Sequence, residues 1–159
     1  MKNIVKNSFA TLVALTLANT QLFASNSHCN ANENVVFSCN TGQKVVSICA
    51  SKAINAKSGY VQYRFGKLGT PEALIPAKPE TFRQSVSAFY FNMGGSAEAK
   101  GIEFTNGNLL YGMNTTSGYL YVRKNGNDIA EFNCKNDNLL IDNFDKYNFK
   151  KVGMKVEEE

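Results

Sequence analysis

The sequence predicts an all-β domain, an antiparallel sandwich or flattened barrel of about eight strands held by two disulfides. Three observations predict it. Short runs of β-branched and aromatic residues recur along the chain, Gly, Asn and Pro separate them, and four cysteines sit in a chain that opens like an exported protein.

The opening reads as an address. Lys2 and Lys6 form a positive start, Phe9 to Ala18 is an uncharged apolar run, and Leu22-Phe23-Ala24 offers a small residue at a cut. The run is about ten residues long, against about 20 needed to cross a bilayer, so a cleaved secretory signal is favoured over a membrane span. Cys29 follows Asn26-Ser27-His28 and does not make a lipoprotein motif. The expected organisation is a signal peptide at 1–24, one β domain at 25–149 and a charged C-terminal tail at 150–159. Without Lys2 and Lys6, 15 of the 17 Lys and Arg face 13 Asp and Glu, a net charge of +2. That balance, with no basic run, argues against a nucleic-acid partner.

The strands follow in order. Val35 to Cys39 and Val45 to Ala50 are β-branched runs around a turn at Asn40 to Lys44. Tyr60 to Phe65 alternates, with Val61, Tyr63 and Phe65 on one face and Tyr60, Gln62 and Arg64 on the other. A short apolar segment, Glu72 to Ile75, lies between Pro71 and Pro76, and Ser85 to Met93 is a long strand closed by Gly94-Gly95. Gly101 to Thr105 and Leu109 to Met113 are expected to meet at Asn106-Gly107. Tyr119 to Lys124 and Asp128 to Cys134 are expected to meet at Asn125-Gly126. Asn-Gly favours a type I′ turn because both residues tolerate positive φ. A two-residue second turn sets Arg123 opposite Asp128 and Tyr119 opposite Phe132, both favourable cross-strand pairs. Asn138 to Phe149 reads as a short turn or a last strand.

Cys29, Cys39, Cys49 and Cys134 are ten, ten and 85 residues apart, and the chain has one histidine. Zinc wants tighter Cys or Cys/His spacing, so two disulfides are expected and no metal. In a tight first hairpin Cys39 opposes about Val46, which leaves Cys49 roughly 10 Å further along at about 3.4 Å per residue. A disulfide needs Cα atoms about 4.4–6.8 Å apart, so Cys39–Cys49 is disfavoured. Cys39–Cys134 with Cys29–Cys49 is preferred; Cys29–Cys134 with Cys39–Cys49 stands second.

No catalytic constellation emerges. His28 lies near the new N-terminus and reads as an exposed arm residue. Glu72, Glu80, Glu98, Glu103, Asp128 and Glu131 are scattered without the spacing of a glycosidase pair. Asp137, Asp142 and Asp145 lack the order of an EF-hand loop. No phosphate loop is present, and no cofactor is expected. A near-repetition stands out: Ser58-Gly59-Tyr60-Val61-Gln62-Tyr63-Arg64 and Ser117-Gly118-Tyr119-Leu120-Tyr121-Val122-Arg123. Its plain reading is two strands entered through a glycine. Its functional reading is a binding face built from Tyr60, Gln62, Arg64, Tyr119, Tyr121 and Arg123, residue types that recognition surfaces favour.

The block Gly59 to Pro76, preceded by the paired cysteine strands, looks like a segment recurring in uncharacterised exported proteins of proteobacteria. That resemblance spans much of 29–134 and implies a shared fold but no activity. The layout also resembles the MliC/PliC-type periplasmic inhibitors of C-type lysozyme, small exported β-barrels in which a first-strand cysteine bonds one near the C-terminus. Cys39-Asn40-Thr41-Gly42 and Cys134 are the corresponding features. The inhibitors' motif places Tyr three residues after the Gly of Ser-Gly and includes a Trp. Tyr60 and Tyr63 follow Ser58-Gly59, with Gln62 at that step; Tyr119 and Tyr121 follow Ser117-Gly118, with Tyr121 at that step, but the chain has no Trp. No inhibitory residue is carried over, and the resemblance is architectural.

The expectation is therefore a periplasmic or secreted, non-enzymatic binding module, with a lysozyme-inhibitor-like protein as its specific form and a protein or envelope component as partner. A structural or accessory envelope protein is the alternative from another class, and a small hydrolase the remote third.

Overall fold

The computed structural model describes residues 26–135 and 140–158. The signal peptide read at 1–24, and Asp137, lie outside the described residues. Among the described residues, eleven strands form two sheets. The first holds β1 (Glu33–Asn40), β2 (Val45–Ser51), β3 (Val61–Lys67), β4 (Thr70–Ile75) and β10 (Ile141–Asp142), in the order β10-β1-β2-β3-β4. The second holds β5 (Val86–Gly94), β6 (Ala97–Asn106), β7 (Leu109–Asn114), β8 (Tyr119–Lys124), β9 (Asn127–Asn133) and β11 (Lys155–Glu158), in the order β11-β5-β6-β7-β8-β9. A single helical turn, α1 (Phe82–Ser85), leads from one sheet into the other.

The sheets pack face to face because alternation gives each one an apolar side. On β3, Tyr63 lies against Phe104 of β6 and Tyr111 of β7, and Phe65 lies against Phe132 of β9. Val46, Ile48, Ile102, Met113 and Leu120 complete the centre, and Phe82 of α1 and Phe144 close its ends. This is the sandwich expected, antiparallel except for the β11–β5 pair, with more strands than the eight counted in the sequence.

Both preferred disulfides are present. Cys29–Cys49 has a Cα separation of 5.3 Å, and Cys39–Cys134, 95 residues apart in sequence, has 5.6 Å. Cys39 stands opposite Val46, as the tight hairpin requires, so Cys49 is too far along to reach it. The long bridge ties the first sheet to the end of β9, and the backbone N–H of Lys135 donates to the Asn40 carbonyl beside it.

Four sequence expectations need correction. The first Asn-Gly hairpin turns one residue later: Asn106 pairs with Leu109, the loop is Gly107-Asn108, and Gly107 alone has positive φ (62°), as a type II′ turn requires. This register sets Met113 opposite Ile102 in the core. The second hairpin does turn at Asn125 (φ 52°) and Gly126 (φ 84°), and Arg123 does face Asp128. Tyr119, however, faces Asn133 and not Phe132, because a bulge opposite Val122 and Arg123 inserts Ile129 and shifts the ladder by one.

Of the charged tail expected at 150–159, the described residues 150–158 are not loose. Val152 and Met154 are buried, and β11 pairs in parallel with β5, Val156 beside Ala88. Lys and Glu dominate its composition, but Val152, Met154 and Val156 alternate and seal the core edge. His28 is not an exposed arm residue either. Residues 26–33 lie across the outer side of the first sheet, so β2 is buried on both faces. Ser38 Oγ donates to the Asn26 carbonyl, and His28 N–H donates to Ser47 Oγ. His28 Nε2 lies 3.1 and 3.3 Å from the carbonyls of Val45 and Gly66, and the Cys29–Cys49 bridge clamps the strap in place.

Candidate functional site

The six residues of the expected binding face form two groups, and the structure does not bring them together. Tyr60 at the entrance of β3, with Gln62 and Arg64 on it, faces outward from the first sheet. Tyr119, Tyr121 and Arg123 on β8 face outward from the second. The inward partners of the two strands meet in the core between them, so the groups point in opposite directions.

The β3 group is structural. Arg64 reaches both oxygens of Glu33 (Nη1–Oε2 2.8 Å, Nη2–Oε1 2.5 Å) and donates to the His28 carbonyl, while its Nε donates to Gln62 Oε1. Gln62 Nε2 donates to the Pro76 carbonyl, and Tyr60 donates its hydroxyl to Glu33. The Glu33 side chain is 0% exposed. Burial alone would push its carboxyl up, but Arg64, Tyr60 and the Asn30 N–H together hold it below the ordinary carboxylate range. Burial, then the bond to Glu33, pushes the Tyr60 hydroxyl up. The sequence disclosed Arg64 but not its partner, since Glu33 sits at the start of β1, 31 residues away.

The β8 group forms a fixed patch. Tyr121 lies flat across Gly112 of β7: a Cβ there would come within 2.0 Å of the ring, so the strand must carry glycine. Its hydroxyl donates to Glu103 Oε1 of β6 at 2.6 Å. Burial, then that bond, pushes the Tyr121 hydroxyl well above its ordinary value. The Arg123 guanidinium stacks over the Tyr121 ring at 4.2 Å, and its Nε donates to Asp128 at 2.7 Å. Tyr119 packs beside Tyr121, centroids 5.9 Å apart, and bonds Glu131, which pushes its hydroxyl up. Glu103, Gly112 and Glu131 become part of the site only through register: Glu103, Gly112, Tyr121 and Glu131 form one row across four strands. A glycine inside a strand was the available signal.

The Ser-Gly repetition has a backbone cause. Gly59 (φ 84°) and Gly118 (φ 68°) both turn the chain into a strand under a crowding neighbour. A Cβ at Gly59 would lie 2.4 Å from Ser51 Oγ, and one at Gly118 would lie 2.9 Å from Cys134 Cβ.

The scattered carboxylates Glu72, Glu80, Glu98, Asp128 and Glu131 are exposed, and Glu103 is half-buried against Tyr121. Cys29 Sγ, Cys49 Sγ and a Glu33 oxygen lie within 4.8 Å of one another, but the sulfurs are bonded together and Glu33 holds Arg64. Among the described residues no helix is long and apolar enough to cross a membrane. Comparison with family models, curated proteins and solved structures finds no match to this chain.

Proposed function

We propose that the chain is an exported, non-enzymatic binding module that works in the periplasm or outside the cell. The outer face of the six-stranded sheet is its recognition surface, and a protein or envelope component is its partner. The observation that carries this reading is the accessible Arg123 guanidinium held in place on Tyr121, a ring that is itself buried against Gly112 with its hydroxyl on Glu103. Tyr and Arg concentrate binding energy at interfaces, and side chains already fixed in place lose little freedom on docking.

The strand edges support recognition by a face over strand addition. β4 carries Pro71 and a bulge, β9 carries the Ile129 bulge and two acids, β10 has two residues, and β11 has four and is charged. All four cysteines are bridged, which suits an oxidising compartment.

A lysozyme-inhibitor-like protein is the specific form to test first. The chain without its leader is titrated against C-type lysozyme in a cell-wall lysis assay, beside the double variant Tyr119→Ala/Arg123→Ala. The inhibitor form expects lysis to slow at equimolar protein and the variant to lose that effect while melting normally. Unchanged lysis at excess removes the inhibitor form. Envelope partners captured equally by wild type and variant would remove the β8 face as the recognition surface.

A further inference from the structure

We infer that the end of the sandwich closed by Phe144 carries on its surface a second binding site, a shallow groove that takes a neutral oligosaccharide. This site is separate from the β8 face and does not depend on it.

The groove exists because the β5–β6 hairpin is longer than the sheet it faces. Along the inner side of β5, Val86 and Ala88 are buried, then Tyr90 and Asn92 follow; on β6, Phe104 and Ile102 give way to Lys100 and Glu98. The same face turns from apolar to hydrogen-bonding where Phe144 lies against Tyr90 and Asp145 bonds Lys100. Three hollows of about 340, 370 and 410 Å³ run along this end. Tyr90 and Glu158 wall both the first and the second, and Lys146 and Tyr147 wall both the second and the third. Each volume lies in the lower part of the range of small-ligand sites, about 300–1,000 Å³.

Two regularities define the ligand. The first is composition: each hollow pairs an aromatic ring with a side-chain amide, Tyr90 with Asn92, Tyr147 with Asn148, and Tyr147 again with Asn34. A ring offers its negative face to C–H groups. The oxygens of Asn92 and Asn148 accept from the N–H groups of Gly94 and Lys151, and Asn34 bonds Tyr147, so the amides serve the groove chiefly as donors. A chain of pyranose units presents those two things in repetition, a C–H face and a hydroxyl edge. The second is charge. Among the described lining residues, Glu98, Asp145 and Glu158 are balanced by Lys100, Lys146 and Lys150. Lys100 bonds Asp145 (2.5 Å) and lies 3.3 Å from Glu98, and Lys150 bonds Glu158 (2.7 Å). A balanced groove attracts neither a polyanion nor a basic peptide over distance, which leaves a neutral, polyhydroxylated chain as the fitting occupant.

The test is an amide-shift titration of the ¹⁵N-labelled protein with chitohexaose and, separately, maltohexaose, with polyphosphate and hexalysine as charged contrasts. The expected result is a saturable shift of the Tyr90, Asn92 and Tyr147 amides with at least one neutral hexasaccharide by about 10 mM. Tyr147→Ala and, on the exposed hairpin, Asn92→Ala should each weaken that binding, the tyrosine change by about tenfold or more. No shift with either hexasaccharide overturns the proposal. So do shifts confined to Tyr119 and Tyr121, or a larger response of the same amides to polyphosphate or hexalysine.

Discussion

Arg64 and Glu33 form a two-pronged ion pair beneath the N-terminal strap, with the Glu33 side chain shut off from solvent and the Arg64 side chain 12% exposed. Arg64 also carries the strap's own carbonyl at His28, so one side chain joins β1, β3 and the residues that cover them.

Removing one partner should therefore be costly. Arg64→Ala leaves a buried carboxylate unpaired, and a loss of about 3–5 kcal/mol in urea unfolding is expected. A loss below about 1 kcal/mol would place the pair among ordinary surface bridges.

The same pair gives a pH dependence of known sign. The folded Glu33 carboxyl titrates below its unfolded value of 4.5. Its contribution is complete above that value and fades as pH falls through the lower folded value. Wild type and Glu33→Gln should thus differ most at neutral pH and converge in acid; a constant gap in unfolding midpoint across the series would contradict this.

Gly112→Ala should damage the β8 face before it damages the fold. The new methyl occupies the space of the Tyr121 ring, so the ring must lift and Arg123 loses its platform. The expected signature is altered near-ultraviolet dichroism from tyrosine with far-ultraviolet dichroism kept. Gly118→Ala acts on the backbone instead, at φ 68° against Cys134, and should cost more than about 1 kcal/mol of stability.

The two disulfides should differ in weight. In the chain-entropy model a loop of 95 residues contributes about 4–5 kcal/mol, and one of 20 about 3 kcal/mol. Cys39→Ser/Cys134→Ser should lower the unfolding midpoint further than Cys29→Ser/Cys49→Ser. The short-loop pair should also free the strap, read as faster proteolysis at 26–32; equal protection in both variants would show that Arg64 and Ser47 suffice to hold it.

Much of this was legible locally. The Asn125-Gly126 turn announced the Arg123–Asp128 pair, and strand spacing separated Cys39 from Cys49. The rest depends on distant partners. Alternation shows that Tyr60 and Tyr119 each face away from their own core. It says nothing about which sheet their strands join, so one surface and two opposite surfaces look alike in the sequence. Ile129 left no mark, because a bulge preserves composition while shifting register. The last strand was hidden by its charges, although Val152, Met154 and Val156 carried the alternation.

The position of β11 also sets when the domain can finish folding. The six-stranded sheet is completed by the last residues described, laid beside a strand from mid-sequence, and the five-stranded sheet receives β10 only after residue 140. Neither layer has its full complement of the strands described until residues 141–158 are present, and the bridge to Cys134 falls just before them. Such long-range closure slows folding. A chain emerging from the ribosome, or threading through a pore, would keep both layers incomplete until residues 141–158 arrive.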